Sequence, residues 1–176
     1  TYASYNNEIG YPLTLLRLEP EHRYAVLEMG AQWVGELAWL CNTIAQPNWA
    51  IITNVGAAHL EYFGSQERIA IAKSELVQEL SSDGIAILNY DDRNVRAMSA
   101  KTSARVLYYG LGEGAEVRAS NISGDSLRGL SFTLSYHGKQ MPIQLHLPGE
   151  HGITMALAAA AAGCAAEMSL EDIRAA

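Results

Sequence analysis

Short, almost uninterrupted apolar runs return along the chain with helical patterns between them, and this rhythm restricts the fold more than any other feature. Residues 24–29 (YAVLEM), 49–55, 84–89 and 105–109 each read as a strand. Between the first two, residues 34–45 place Leu37, Leu40, Cys41 and Ile44 at i, i+3, i+4 and i+7, the spacing of one buried helix face. Residues 65–80 read as a second helix, with Ser65 as N-cap and Glu67 in the first turn, where a carboxylate meets the positive helix end. Strands apolar on both faces and joined through helices make parallel sheets covered on both sides. The expected class is therefore α/β, a doubly wound, mostly parallel sheet.

The pattern changes near Gly110. Residues 116–122, 130–136 and 141–147 alternate apolar and polar positions around Gly124-Asp125 and His137-Gly138, which predicts an antiparallel meander within 115–148. A helix follows in GEHGITMALAAAAA, residues 149–162, whose alanines favour the helix and let it press closely onto a sheet. Ser169 and Asp172 then form a capping-box-like start for a last short helix. The 176 residues suffice for one real core, with the meander inside a single domain over 1–176.

Composition removes several function classes. Nineteen acids against twelve basic residues give a net charge of −7, which argues against a nucleic-acid footprint. The sequence is 49% hydrophobic and 18% charged, a globular balance. No apolar run approaches the roughly 20 residues of a membrane span. Cys41 and Cys164 sit in apolar helical patterns without metal spacing, as reduced buried thiols of a cytoplasmic protein do.

Ligands of such sheets bind beyond the carboxyl ends of the strands. Glu28 closes one apolar run, and His59 lies in the loop TNVGAAHLEYFGS (53–65) after the next. A carboxylate and an imidazole facing one crevice can hold Mg²⁺ or Mn²⁺ around phosphates; equally, Glu28 can cap a turn while His59 hydrogen-bonds its own loop. Lys73 is the sharper case. It falls four residues after Ile69, inside the stripe Ile69, Leu76, Leu80 and beside Val77. A lysine there must snorkel, pair with an acid or lose its charge. Both a snorkelling lysine and an interior lysine with altered chemistry fit the pattern.

Six stretches together carry a family resemblance. NNEIGYPLTLL (6–16), VLEMGA (26–31) with Gly35-Glu36, TNVGAAHLE (53–61) with FGS (63–65), IAKSE (71–75), DGIAILN (83–89) and LPGEH (147–151) resemble, in order, the central domain of the Mur ligases. Each stretch alone is unspecific; their succession over nearly the whole chain is not. The branch most resembled adds D-alanyl-D-alanine to a UDP-N-acetylmuramoyl tripeptide in peptidoglycan precursor synthesis. The NNEIG opening favours this branch over folylpolyglutamate and cyanophycin synthetases, which stay as the alternative within the superfamily. A non-catalytic relative that keeps the fold as a binding scaffold is the alternative from another class.

The resemblance implies an ATP-dependent ligase that works with Mg²⁺ or Mn²⁺ through an acyl phosphate, on UDP-MurNAc-tripeptide and D-Ala-D-Ala. It makes Glu28, His59 and a CO₂-carbamylated Lys73 the metal ligands and catalytic groups. His151, Asn89 and Asp92 fall on the nucleotide side, and Asn6 and Asn7 on the substrate side. Carbamylation converts a cation into an anion, which would explain a lysine on an apolar face.

Two departures stand against this pattern. The 176 residues contain no G-x-x-G-K-[ST] phosphate loop, since Gly138-Lys139 is followed by Gln140 in a hairpin. By the resemblance, that loop with its strand and helix and a UDP-binding first domain would precede Thr1, and a third domain would follow Ala176. The family's G-x-H-N-x-x-N also becomes Gly149-Glu150-His151-Gly152 with Met155 in the last place. Without those asparagines the resemblance implies either a weaker nucleotide affinity or a base read by other groups, such as the loop 89–92.

Overall fold

The computed structural model describes residues 6–56, 60–125, 129–146 and 150–176. The apolar runs assemble side by side in chain order: β1 (Trp49–Ile52), β2 (Ile85–Asn89), β3 (Arg105–Gly110), β4 (Val117–Asp125), β5 (Gly129–Tyr136) and β6 (Lys139–Leu145). The pairings from β1 to β4 are parallel, and those from β4 to β6 antiparallel. Around this sheet lie α1 (Gly10–Leu15), α2 (Glu36–Thr43), α3 (Leu60–Phe63), α4 (Gln66–Gln78), α5 (Arg93–Arg96), α6 (Glu150–Ala165) and α7 (Leu170–Ala175).

The continuous apolar character of β2 is explained by what covers each face. Ala86 and Leu88 share a buried cluster with Ile69, Ala72 and Val77 of α4. Ile87 points the other way, into the cluster with Leu157 and Ala161 of α6. The alanines of α6 do what their size permits: Ala161 is fully buried against the sheet. Both faces are thus sealed by helices, as the class requires. Each fully buried leucine in these layers contributes about 1.5–3 kcal/mol relative to exposure.

The meander is continuous with the parallel part. β3 meets β4 through Tyr109↔Val117 and Gly110↔Arg118, and Val117, Leu130, Phe132 and Leu134 join the α6 core. The helix starts match the sequence chemistry. Ser65 Oγ accepts from the Arg68 amide at 3.3 Å, and Ser169 Oγ accepts from the Asp172 amide at 3.1 Å while donating to Asp172 Oδ2 at 2.7 Å.

One expected strand is absent from the sheet. Residues 24–29 carry no ladder, so the strand ends at Glu28 and Val55 do not stand side by side as paired neighbours. The apolar run there is real, but of its side chains only Leu27 and Met29 are partly covered. Leu27 and Met29 pack with Tyr11, Leu37 and Leu40, whereas Val26 is 83% exposed. Periodicity reports which side chains are covered and is silent on whether the backbone finds a partner. β1 is also shorter than expected, ending at Ile52. The short helices α1, α3 and α5 have too few residues to show a period, and the pattern did not predict them.

Candidate functional site

The carboxyl ends of β1 and β2 open into a cleft of about 410 Å³, whose walls include Asn54, Val55, Asn89, Asp91, Asp92 and Arg93. Its floor is built by side chains that accept backbone N–H groups. Asp92 Oδ1 accepts from the Asn94 and Val95 amides at 2.8 and 3.1 Å and so caps α5. The other oxygen, Oδ2, accepts from the Val55 amide at 2.7 Å, so one carboxylate joins the exit of β1 to the start of α5. Asn89 is buried and donates from Nδ2 to the Thr53 carbonyl at 2.8 Å, while its Oδ1 accepts from the Asp91 amide at 3.0 Å.

Asp91 performs the same task on the far side. Its carboxylate accepts from the Leu111 amide at 2.7 Å and the Gly112 amide at 2.9 Å. The glycines of this β3–β4 loop make the approach possible, because a Cβ on Gly114 would lie 2.2 Å from the Tyr90 ring. Sequence reading singled out Asn89 and Asp92 and passed over Asp91. The doubled acid directly after a buried strand end was the available signal.

Lys73 reaches this cleft from α4. It is half-buried, and Nζ donates to the Asn54 carbonyl at 2.6 Å. Burial pushes the ammonium below the ordinary lysine range, and the negative charge of Asp92 pulls partly back. Lys73 therefore snorkels along α4, and the point it snorkels to is the cleft wall. Two residues on, Glu75 is buried and accepts from the Gly35 amide at 2.5 Å and the Ala38 amide at 3.1 Å, which fastens the start of α2 to α4. Glu75 too was passed over; its only signal was an acid within the buried stretch of α4.

A second cluster forms on residues 6–30. Asn6 Nδ2 donates to Glu28 Oε1 at 2.8 Å, and the Gly30 amide donates to the Asn6 carbonyl at 2.8 Å. Asn7 turns its Oδ1 to the amides of Gly10 and Ile9, at 3.0 and 3.3 Å, at the start of α1. The neighbours of Glu28, Leu27 and Met29, pack in one cluster with Leu76, three residues beyond Lys73. The structure thus brings Lys73, Asn89 and Asp92 together and holds Glu28 with Asn6. His151 is exposed in the first turn of α6, with Gly152 buried beside it and Met155 60% exposed. His59 lies outside the described residues.

The donor set suits a hard cation that arrives with its own oxygen ligands. Among the described residues, no group of three or more His, Cys, Asp and Glu stands ready as a cage. Mg²⁺ is commonly held by one or two carboxylates plus substrate phosphates, and the Glu28 carboxylate is a fitting first ligand. The ammonium of Lys73 repels a cation and can join such a site only after it becomes an anion. No described helix is long and apolar enough to cross a membrane.

The Mur ligase middle domain family matches residues 1–163. A UDP-N-acetylmuramoyl-tripeptide–D-alanyl-D-alanine ligase of Mycobacterium tuberculosis is 41% identical over 174 residues, covering 99% of this chain and 34% of its own length. A crystal structure of MurF from Acinetobacter baumannii superposes with a TM-score of 0.90 at 36% identity, covering 99% of this chain and 38% of that one. MurF ligase from Thermotoga maritima in complex with ADP gives a TM-score of 0.78 at 27% identity, covering 100% of this chain and 41% of that one. The chain thus spans about a third of the length of the curated relatives it matches.

Proposed function

The chain belongs to the Mur ligase family as its middle domain, and from that premise we propose that it is the nucleotide- and metal-handling part of a ligase joining D-alanyl-D-alanine to a UDP-N-acetylmuramoyl tripeptide. The observation that carries this reading is the placement of Lys73: a half-buried cation on α4 that ends at the cleft beyond β1 and β2, beside Asp92. An interior lysine at the nucleotide side of such a cleft suits an ATP-dependent acyl transfer.

In the proposed reaction the terminal carboxylate of the tripeptide attacks the γ-phosphoryl group of ATP and releases ADP. The amine of D-Ala-D-Ala then attacks the acyl phosphate, forms the amide and releases phosphate. Mg²⁺, when bound, supplies charge neutralisation to the phosphates. Glu28, His59 and carbamylated Lys73 would hold it. The cleft walls do the rest of the work: Asn89 and Asp92 fix the β1 exit loop and the start of α5, and His151 of α6 would join them on the nucleotide side. Asn7 would stand on the substrate side. With Gly152 and Met155 in place of asparagines, the loop at 89–92 carries the base-reading role.

Formation of the carbamate has a physical route in this site. Burial lowers the Lys73 pKa, which raises the fraction of neutral amine available to CO₂. The test is ligation by the full-length protein, supplied with ATP, Mg²⁺, D-Ala-D-Ala and the UDP-linked tripeptide carrying either lysine or diaminopimelate. Stoichiometric ADP, phosphate and pentapeptide product are expected with one of the two. Absence of product with both would leave the scaffold reading standing in place of the ligase.

A further inference from the structure

We propose that Asn6 is a positioning residue for Glu28, acting on the metal side of the site through that carboxylate; the inference rests on the reading of Glu28 as a metal ligand. Three observations support it independently of any family pattern. The Asn6 amide group donates to Glu28 Oε1 at 2.8 Å. The Asn6 backbone is itself anchored, its carbonyl accepting from the Gly30 amide at 2.8 Å. Gly30 also leaves the room the side chain needs, because a Cβ there would lie 3.0 Å from Asn6 Cγ and Oδ1. Asn6 is therefore clasped to residues 28–30 by both main chain and side chain.

The need for such a clasp follows from where Glu28 stands. It is exposed, on a stretch without a strand ladder. Each contact that orders the carboxylate beforehand lowers the rotamer entropy lost when it is fixed on a metal. A neutral amide donor orders the carboxylate and leaves its negative charge intact. A lysine or arginine at position 6 would order it equally well while cancelling the charge a cation needs. Partners of ligating carboxylates that orient them in this way commonly affect metal affinity 10–100-fold.

The experiment compares full-length wild type, Asn6→Ala, Asn6→Leu, Glu28→Gln and the double variant Asn6→Ala/Glu28→Gln. Two readouts are taken: Mn²⁺ affinity in the presence of ADP, by water-proton relaxation, and the KM of each ligation substrate. Asn6→Leu keeps the approximate shape and removes only the hydrogen-bonding groups, so it guards against a folding artefact in the alanine variant. The expected result is Mn²⁺ binding weakened about tenfold in both single Asn6 variants, with the KM of tripeptide and of D-Ala-D-Ala changed less than twofold. In the Glu28→Gln background, Asn6→Ala should add nothing further. A raised tripeptide KM with unchanged Mn²⁺ affinity would make Asn6 a substrate contact and overturn the inference. Equal losses in both backgrounds would overturn it as well, by separating Asn6 from Glu28. Failure of the underlying reading looks different: Glu28→Gln would then leave Mn²⁺ affinity unchanged, and the inference would fall together with the metal site.

Discussion

Residues 6–45 and the sheet body that follows them hold their functional groups by opposite means. In the body, Lys73, Asn89 and Asp92 hang from α4 and β2, elements locked by ladders and by two large buried clusters. In the leading segment, Glu28 sits outside the sheet ladder, between Leu27 and Met29 that pack against a small core of Tyr11, Leu37 and Leu40, and its carboxylate accepts from the Asn6 side chain. The difference teaches that one domain can combine a laddered wall with an arm tied down by side chains. The wall fixes loop geometry through backbone amides, and the arm is fixed by a few side-chain bonds such as Glu75 to Gly35 and Ala38.

The largest effect that would sharpen this contrast lies on the wall. Lys73→Ala in the full-length protein should lower ligation turnover by about a hundredfold or more, the scale of losing one preorganised electrostatic group. Its melting temperature should stay close to that of wild type, because the half-buried ammonium is a net burden where it sits. Undiminished turnover would return Lys73 to a snorkelling surface residue.

Next comes Asp92→Ala. The change strips the acceptor from the Val55, Asn94 and Val95 amides at once, so urea unfolding should show a loss of about 2–3 kcal/mol. The comparison breaks if this variant is as stable as wild type, for the wall would then not depend on its carboxylate bracket.

Each region also contains one buried thiol, Cys41 in α2 and Cys164 in α6. Burial pushes both up to about 11 from an ordinary 9.0, with Glu79 and Glu75 adding to the rise at Cys41. A folded-state pKa raised above the unfolded one gives stability that is complete below pH 9 and is lost as pH rises towards 11. Alkaline unfolding should therefore begin in that window, and Cys→Ala variants should flatten the fall. Under native conditions near pH 8, Cys41 should react with a thiol reagent about tenfold faster than Cys164, because the smaller core opens locally more often. Equal rates would mean that the two regions open as one unit.

The sequence exposed much of the wall and little of the arm. The runs at β2 and β3, the Ser65 and Ser169 caps and the buried α6 alanines were legible because each follows from local chemistry: period, capping or size. Lys73 stood out because a cation inside an apolar stripe is itself a contradiction. Residues 24–29 of the arm were misread as a strand because an apolar run does not say whether the backbone is paired, and pairing depends on neighbours far away in sequence. Asp91 and Glu75 escaped for a related reason. Their partners are backbone amides 20 to 40 residues away, which no residue pattern encodes.

The central claim is that wall and arm together hold a divalent cation beside the nucleotide. Crystals of the full-length protein grown with ADP and Mn²⁺ test it most directly, through the anomalous signal of the metal. The account predicts a peak within about 2.5 Å of a Glu28 carboxylate oxygen, on the side facing Lys73 and the cleft beyond β1 and β2. A well-occupied Mn²⁺ peak next to bound ADP with no oxygen of Glu28 in its coordination sphere would contradict it.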